Sequence, residues 1–417
     1  METKRNITNV GRKVEVSGQN LQHFISNSPW SASDLIAAVQ EEVKVHPAFQ
    51  NAILVLDESA EEKAGLESAG AGRQHNGRLG KIEISQVGVF LSLVTPQVNT
   101  WIDGELYIPA HWFESGHAEK RKNVGIPDER TFHKKPELGW QLIQRVQAKG
   151  IPFEAVDMDD LYGRNSVLRQ RLDQAGIEYY GDVPLDTQVY LEQPRIVYPL
   201  TKRGQPSKNP KVEGHPFQVQ ELAQQFPYQT IRLRPNERGY LQADFGRCRV
   251  WVVYEDTQMR QEWLLVRKDA KQITYVLSNA PADISLETMA WRKTQRYLIE
   301  RSNEDAKGEF GWDEFQARKY RAWEHQLALT ILAAWFVAET RLDWMRRFQQ
   351  DPALLAKYEV EVLPQLSVGN VRELLRAALP LPQLSPEGAA QLVTSHLVNR
   401  TRSRRSRLRK AEEKKRG

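Results

Sequence analysis

The run Ala52-Ile-Leu-Val-Leu-Asp57-Glu58 decides the fold, because it has the length of a strand, is apolar until its end and finishes on two acids. Such a run is typical of a strand buried on both faces of a sheet, whose polar residues come where it emerges. Ligands bind beyond the carboxyl ends of strands in open α/β sheets, so Asp57 is a candidate site residue. Asp57 also fits a turn or helix N-cap, and this segment alone leaves both interpretations open.

Composition excludes several kinds of site and location. Cys248 is the single cysteine among 417 residues, which excludes an intramolecular disulfide and multi-cysteine metal sites. The histidines show no ligand spacing, so any metal would be held by carboxylates, which favour magnesium or manganese. The sequence contains no run of eighteen apolar residues and no signal peptide at its start. We therefore expect a soluble, cytoplasmic protein without a membrane segment.

A second acid follows a second predicted strand. The runs Glu83–Val94 and Val98–Ile108 predict a hairpin, and a helix at about Lys135–Lys149 leads to a strand at Phe153–Met158 that runs out into Asp159. A strand reached through a crossover helix normally lies parallel to its partner. We therefore expect Asp57 and Asp159 to emerge at one edge of the sheet and to share a cation.

The predicted order of elements indicates the fold class. A helix at about 166–174 and a strand at 178–183 follow Asp159. Three antiparallel strands, a helix, a parallel strand, a helix and a further strand are the order expected of a ribonuclease H-like domain. The fold class is α/β, with a mixed sheet flanked by helices.

The glycine-rich, basic stretch at 64–81 predicts a mobile loop near the acids. It lacks the spacing of a phosphate-binding P-loop, because His75 lies five residues before Gly80. Its cations Arg73, Arg78 and Lys81 are candidates for contacts with phosphates.

From about residue 185 the pattern changes to alternating β-type runs, which predict a β-rich insertion. Trp251 and Trp263 lie among basic residues there and suit stacking on nucleic acid bases. The same aromatic side chains also fit the core of a small sheet.

A third acid lies on a predicted helix, Glu287–Lys307. At about 100° per residue, Arg296, Glu300 and Lys307 fall within roughly 40° of one another on one face. Spacing alone fits a solvated charged face as well.

These patterns divide the chain into six regions. They are a helical lead-in (1–50), the first part of a ribonuclease H-like catalytic domain (51–184), a β-rich insertion subdomain (185–286), the last catalytic helices (287–345), a C-terminal helical region (346–399) and a basic, disordered tail (400–417). The tail carries ten Lys/Arg and two Glu, so its net charge is +8. The whole chain has a net charge of +5, so the rest of the chain carries about −3. The charge of such a tail suits binding to a phosphate backbone. It is also typical of a solvated segment without a specific partner.

The ordered motifs resemble bacterial insertion-sequence transposases of the DDE class, in the branch with a β-rich insertion and a third motif Tyr-x2-Arg-x3-Glu-x6-Lys. The resemblance covers roughly residues 20–345. The segments that carry it are Leu21–Trp30, Leu54–Glu58, Gly72–Lys81, Gln86–Phe90, Asp103–Pro109, Gly125–Pro127, Lys135–Leu138, Asp159–Gly163, and Ile299–Glu300 with Lys307.

The resemblance implies a metal-binding catalytic triad of Asp57, Asp159 and Glu300. It also implies that Arg296 and Lys307 contact DNA near the transposon end. Lys293 stands where the motif has its Tyr. The region before the first strand is short compared with the family.

The implied activity is cut-and-paste transposition. Two Mg²⁺ ions, for which Mn²⁺ can substitute, lie about 3.5–4 Å apart in sites of this kind and assist strand cleavage and transfer. The implied partners are double-stranded DNA, at terminal inverted repeats and target sites, and a second copy in a homodimer. The location would be the bacterial cytoplasm, on the nucleoid when DNA is bound. Two alternatives stay open, a ribonuclease H-like nuclease without strand transfer and a non-catalytic DNA-binding protein derived from a transposase.

Overall fold

The fold was analysed in a computed structural model. It describes residues 7–378 except 14–15, 78, 200–204, 206, 208, 237–238, 256, 270–271 and 315–316, together with isolated positions beyond 378. The predicted basic tail at 400–417 lies almost entirely outside the described residues, and so does much of the predicted helical region after 378.

Helices and strands are numbered in chain order through the described residues. The α-helices are α1 (Ile7–Lys13), α2 (Gly18–Ser26), α3 (Ala32–Val45), α4 (Ala118–Val124), α5 (Lys135–Ala148), α6 (Asp160–Gly163), α7 (Ser166–Gln174), α8 (Val219–Leu222), α9 (Leu286–Lys293), α10 (Arg296–Gly308), α11 (Tyr320–Arg347), α12 (Pro352–Tyr358) and α13 (Val368–Ala378). The strands are β1 (Ile53–Glu62), β2 (Gly72–Asn76), β3 (Lys81–Val94), β4 (Asn99–Tyr107), β5 (Ala155–Met158), β6 (Tyr179–Val183), β7 (Gln188–Tyr190), β8 (Arg195–Val197), β9 (Lys211–Glu213), β10 (Pro216–Gln218), β11 (Gln229–Asn236), β12 (Gly239–Val253), β13 (Met259–Lys268) and β14 (Ile273–Ser278).

One large mixed sheet organises the described residues. Twelve strands form it in the order β10-β7-β12-β13-β14-β6-β5-β1-β3-β2, with β11 on β12 and β4 on β3. The pairs β1–β3 and β3–β4 are antiparallel, whereas β1–β5 and β5–β6 are parallel. This mixed sheet with its helices confirms the predicted α/β class and is consistent with a ribonuclease H-like fold.

Strand β1 is buried on both faces, as its apolar run predicted. Leu54 and Leu56 pack in a core with side chains of α5 and α11, while Ile53 and Val55 pack on the opposite face with side chains of α9 and α10. All four are fully buried. Each such side chain contributes about 1.5–3 kcal/mol by leaving water. The two helical layers therefore fix β1 at the centre of the molecule.

Three local predictions were wrong. The stretch around Arg73 is not a loop: β2 pairs with the first residues of β3, opposite 81–85. The predicted helix 287–307 is two helices, α9 and α10, separated by Thr294 and Gln295. The sequence also predicts a helix from about Asp313, but this helix, α11, begins only at Tyr320.

Most strands after residue 185 continue the same sheet, whereas β8 and β9 form a separate two-stranded sheet. Strand β14 pairs antiparallel with β6, and β13 and β12 follow it outward. The boundaries of the insertion at 185 and 286 stay a prediction.

Helix α6 lies directly on β6 because both contribute glycine at the contact. A Cβ added at Gly163 would come within 2.2 Å of the carbonyl oxygen of Asp182. A Cβ at Gly181 would come within 2.8 Å of the Cα of Gly163. This close approach determines where Asp159, the residue before α6, sits.

No helix in the described part of the chain is suited to crossing a membrane. The longest, α11 with 28 residues, is not apolar enough, and the others are no better suited.

We expect Gly163→Ala to destabilise the protein by about 1–3 kcal/mol or more, since backbone on β6 cannot yield as a flexible side chain does. Urea unfolding measures this change. Gly65→Ala is the matched control, because a Cβ there has no atom within 4 Å. Equal stability of the two variants would contradict the close packing of α6.

Candidate active site

Asp57 and Asp159 lie at the same edge of the sheet. Leu56 is opposite Met158 in the parallel pair β1–β5, and each acid is the next residue along its chain. β5 ends there, but β1 continues to Glu62, paired with β3. The two carboxylates are near enough that the charge of Asp159 helps raise the pKa of Asp57.

The Asp57 carboxyl is buried, with 7% of its surface exposed. Burial, followed by the negative Asp159, raises its pKa to about 7, although the nearby Arg296 acts in the opposite direction. Its Oδ1 accepts a hydrogen bond from the Glu58 N–H at 2.8 Å. Asp57 is therefore not a helix cap, since it lies inside a strand.

Asp159 is the N-cap of α6. Its Oδ1 accepts hydrogen bonds from the backbone N–H groups of Leu161 at 2.9 Å and Tyr162 at 3.3 Å. Capping fixes the carboxylate at the end of β5, so this residue combines a structural role with its position opposite Asp57.

Helix α10 brings Arg296 close to these acids and carries Glu300 one turn further along. The Arg296 guanidinium forms an ion pair with Glu300 Oε1 at 3.1 Å. Burial alone would lower the pKa of Arg296, but the carboxylates of Asp57, Asp182, Glu300 and Asp159 raise it. Arg296 is therefore the cation that links Glu300 to the acids at the strand ends.

The face of α10 that packs on β1 carries Asn303 and Lys307. Asn303 Nδ2 lies 3.4 Å from Asp57 Oδ2, and its Oδ1 accepts from Trp101 Nε1 at 3.1 Å. Lys307 Nζ donates to the Ala60 carbonyl at 3.2 Å and lies 3.4 Å from Glu61 Oε1. Asn303 was not singled out in the sequence, although its spacing from Arg296 places it on the same helical face.

Glu300 does not converge on the two aspartates. Its side chain is half exposed, and no group of three acidic, histidine or cysteine residues in the described part of the chain is arranged to hold one metal ion. The triad of Asp57, Asp159 and Glu300 therefore stays a prediction.

The other residues predicted to contact DNA are spread over the molecule. Arg73 is exposed on β2, and Lys81 at the start of β3 forms an exposed ion pair with Glu83 at 2.7 Å. Arg78 lies outside the described residues. Because Asp57 pairs with Phe90 and β2 pairs only with 81–85, this hairpin is roughly 16 Å along the sheet from Asp57.

The two tryptophans lie within the sheet. Trp251 is half-buried opposite Gln261 and Tyr190. Trp263 donates to the Pro281 carbonyl at 3.0 Å, and the guanidinium groups of Arg247 and Arg249 lie 4.3 and 4.9 Å from its ring. Base stacking by either residue stays a prediction.

An exposed surface beside α10 was missed in the sequence. Arg234 on β11 lies over the ring of Tyr297 at 3.9 Å, and Arg232 lies 5.4 Å from the ring of Tyr240. Tyr297 and Tyr240 are 50% and 58% exposed. We call these four residues the Arg–Tyr surface. The alternation of Arg232 and Arg234 along a predicted strand was the signal for it.

Comparison with known sequences identifies the class. The family model of DDE superfamily endonucleases matches residues 1–239, more than half of the chain, and the protein belongs to this superfamily. The match includes Asp57 and Asp159 and ends before Glu300. Members typically use divalent metal ions, and membership implies DNA as a partner.

Similarity to one curated protein gives a more specific comparison than the superfamily match. The chain is similar to the "Probable transposase for insertion sequence element IS701" of Microchaete diplosiphon, with 24% identity over 315 residues. The alignment covers 72% of this chain and 69% of the relative.

The chemistry of the site fits a divalent cation. The negative charges of buried Asp57 and capping Asp159 are close enough to repel each other, and a bound cation would relieve this repulsion. Carboxylate oxygen is the ligand that Mg²⁺ and Mn²⁺ prefer.

We expect Asp57→Asn to stabilise the metal-free protein at pH 8. A buried carboxyl whose pKa is raised from 3.8 to about 7 holds its proton in the folded state, so unfolding free energy falls as pH rises through that window. Asp57→Asn has no carboxyl at this position, so its unfolding free energy does not fall for this reason as pH rises. Urea unfolding at pH 5 and pH 8 measures it, with exposed Asp128→Asn as control.

The same unfolding measurements with Mn²⁺ added test whether Asp57 binds a cation. It should stabilise the wild type more at pH 8 than at pH 5, because protons compete for the same oxygens. It should not stabilise Asp57→Asn. Equal stabilisation of both proteins by Mn²⁺ would place the cation elsewhere.

Proposed function

We propose that this protein is a DNA transposase that cleaves strands at transposon ends and transfers the freed 3′ ends to target DNA. The observation that carries the proposal is that Asp57 and Asp159 each follow directly on a paired residue, Leu56 or Met158, of the adjacent parallel strands β1 and β5, near the helix that carries Glu300. Membership in the DDE endonuclease superfamily and similarity to a probable insertion-sequence transposase support it.

In the proposed reaction, Asp57, Asp159 and Glu300 hold two Mg²⁺ ions, for which Mn²⁺ can substitute. When bound, such ions activate the attacking water or 3′-hydroxyl and stabilise the leaving oxygen. Asp57 and Asp159 supply a fixed pair of carboxylates, because one is buried in a strand and the other caps a helix. Arg296, whose charge acts on Asp57 and Asp159, forms an ion pair with Glu300.

DNA contacts follow from exposed cations around the acids. The Arg–Tyr surface adjoins the exposed face of α10, where Glu300 and Arg301 are each half exposed. Arginines stacked on tyrosines can contact phosphates and present rings to bases. Arg296 and Lys307 add positive charge nearer the acids. The partners proposed are terminal inverted repeats, target DNA and a second copy that brings two ends together.

We expect Asp57→Asn, Asp159→Asn and Glu300→Gln each to abolish Mg²⁺-dependent cleavage of inverted-repeat DNA, while DNA binding persists. Each change removes one metal-binding carboxylate. Gel assays on labelled ends measure cleavage and strand transfer together. Glu304→Gln is the matched control, because Glu304 lies one turn along α10 and is 70% exposed.

The products separate the alternatives. Cleavage without joined products would indicate a nuclease that lacks strand transfer. Full activity of any one of the three variants removes that residue from the proposed triad. Binding without cleavage by the wild type would indicate a non-catalytic DNA-binding protein.

We expect Arg234→Ala to weaken DNA binding uniformly across sequences and to reduce the salt slope of binding by about 1, because one phosphate contact is lost. Titrations at several salt concentrations measure the slope. Arg346→Ala removes the same charge from a 74% exposed position at the end of α11 and should leave binding unchanged. Identical slopes for both variants would exclude the Arg–Tyr surface as a phosphate contact.

A further inference from the structure

Two buried carboxylates and one buried ammonium form a network near the candidate acids, with the partly exposed Arg296 at its edge. Asp157, Asp182 and Lys293 are 0%, 8% and 5% exposed. Lys293 Nζ donates to Asp157 Oδ1 at 2.6 Å and lies 2.9 Å from Asp182 Oδ1. The guanidinium of Arg296 lies 4.0 Å from Asp182 Oδ2. Lys293 therefore gives both buried carboxylates a cationic partner, as buried charges require.

The carboxylate of Asp157 accepts hydrogen bonds from residues of two helices. Its Oδ1 accepts from Lys293, the last residue of α9, and its Oδ2 accepts from the backbone N–H of Arg296 at 3.1 Å. Arg296 is the first residue of α10, whose N–H groups lack partners within the helix. One side chain from β5 therefore holds both the end of α9 and the start of α10.

The residues that Asp157 connects lie close in the chain to two of the candidate acids, Asp159 and Glu300. Asp157 is two residues before Asp159 on the same chain segment, and Glu300 is one turn after Arg296. A shift at the start of α10 therefore moves Glu300 relative to the strand that leads to Asp159.

We propose that Lys293 is a positioning residue that, through Asp157, fixes the helix of Glu300 against the strand ends that carry Asp57 and Asp159. This inference rests on the proposed function. A cation is needed at this position, because a neutral side chain would leave Asp157 and Asp182 buried with too little positive charge. Lys293 thus has an internal role at the position where the resembled motif has Tyr.

The test uses the full-length protein with Lys293→Met, which removes the charge and keeps the length of the side chain. The expected result is about a 10–100-fold loss in Mn²⁺ affinity or in cleavage rate, as when a residue that orients metal ligands is removed. Electron paramagnetic resonance of Mn²⁺ measures affinity without any cleavage. Wild-type affinity and wild-type cleavage in folded Lys293→Met would overturn the proposal.

Arg292→Met controls for the general loss of an ion pair at the same helix end. Arg292 is 14% exposed and pairs with Glu178 at 2.5 Å and with Glu154, but it does not bind Asp157. It should lower stability and keep wild-type Mn²⁺ affinity. A loss of Mn²⁺ affinity equal to that of Lys293→Met would show that destabilisation alone is responsible and would overturn the proposal.

Asp157→Asn decides the question if Lys293→Met fails to fold. The Lys293 ammonium and the Arg296 N–H bind different oxygens of Asp157, and the amide replaces one of those oxygens with an NH₂ donor, so one of the two hydrogen bonds is lost. Lys293 keeps Asp182 as a partner, which avoids an isolated buried charge. The variant should show the same loss of Mn²⁺ affinity, and unchanged affinity overturns the proposal. Absence of DNA cleavage by the wild type would instead refute the proposed function.

Discussion

The parallel pairing of β1 with β5 is the constraint on which the rest of the structure depends. Because the two strands run in the same direction, the register of Leu56 opposite Met158 places the next residues of each chain, Asp57 and Asp159, near one another. The antiparallel partner β3 continues along β1 beyond this point and keeps Asp57 within a strand. Helices on both faces bury the pair of strands, so the two acids cannot move apart without disrupting the core.

Bringing carboxylates together has an electrostatic cost, and the surrounding residues offset part of it. Burial and Asp159 raise the pKa of Asp57 to about 7, whereas Arg296 lowers it. Nearby, the single ammonium of Lys293 pairs with both Asp157 and Asp182. The repulsion left at the front of the site is a reason for a cation to bind there, since fixed oxygens need little rearrangement to receive one.

Much of the fold was accessible from the sequence because its signals are local and strong. The apolar run at β1, the hairpin of β3 and β4 and the crossover helix α5 predicted the order and directions of the strands, and the structure confirms them. The break between α9 and α10 was not accessible. Local periodicity continues through it, and the Asp157 carboxylate that holds the start of α10 comes from 139 positions earlier in the chain.

The sequence by itself determined the class of fold and the neighbouring positions of Asp57 and Asp159, and it predicted one helical face for Arg296, Glu300 and Lys307. These follow from hydrophobic burial and from the periods of strands and helices, which depend on near neighbours in the chain. Only the tertiary structure decided that Asn303 lies against Asp57, that Arg234 stacks on Tyr297 and that Lys293 is buried between two aspartates. Such contacts join residues far apart in sequence, and side-chain geometry and charge balance in the folded state select them.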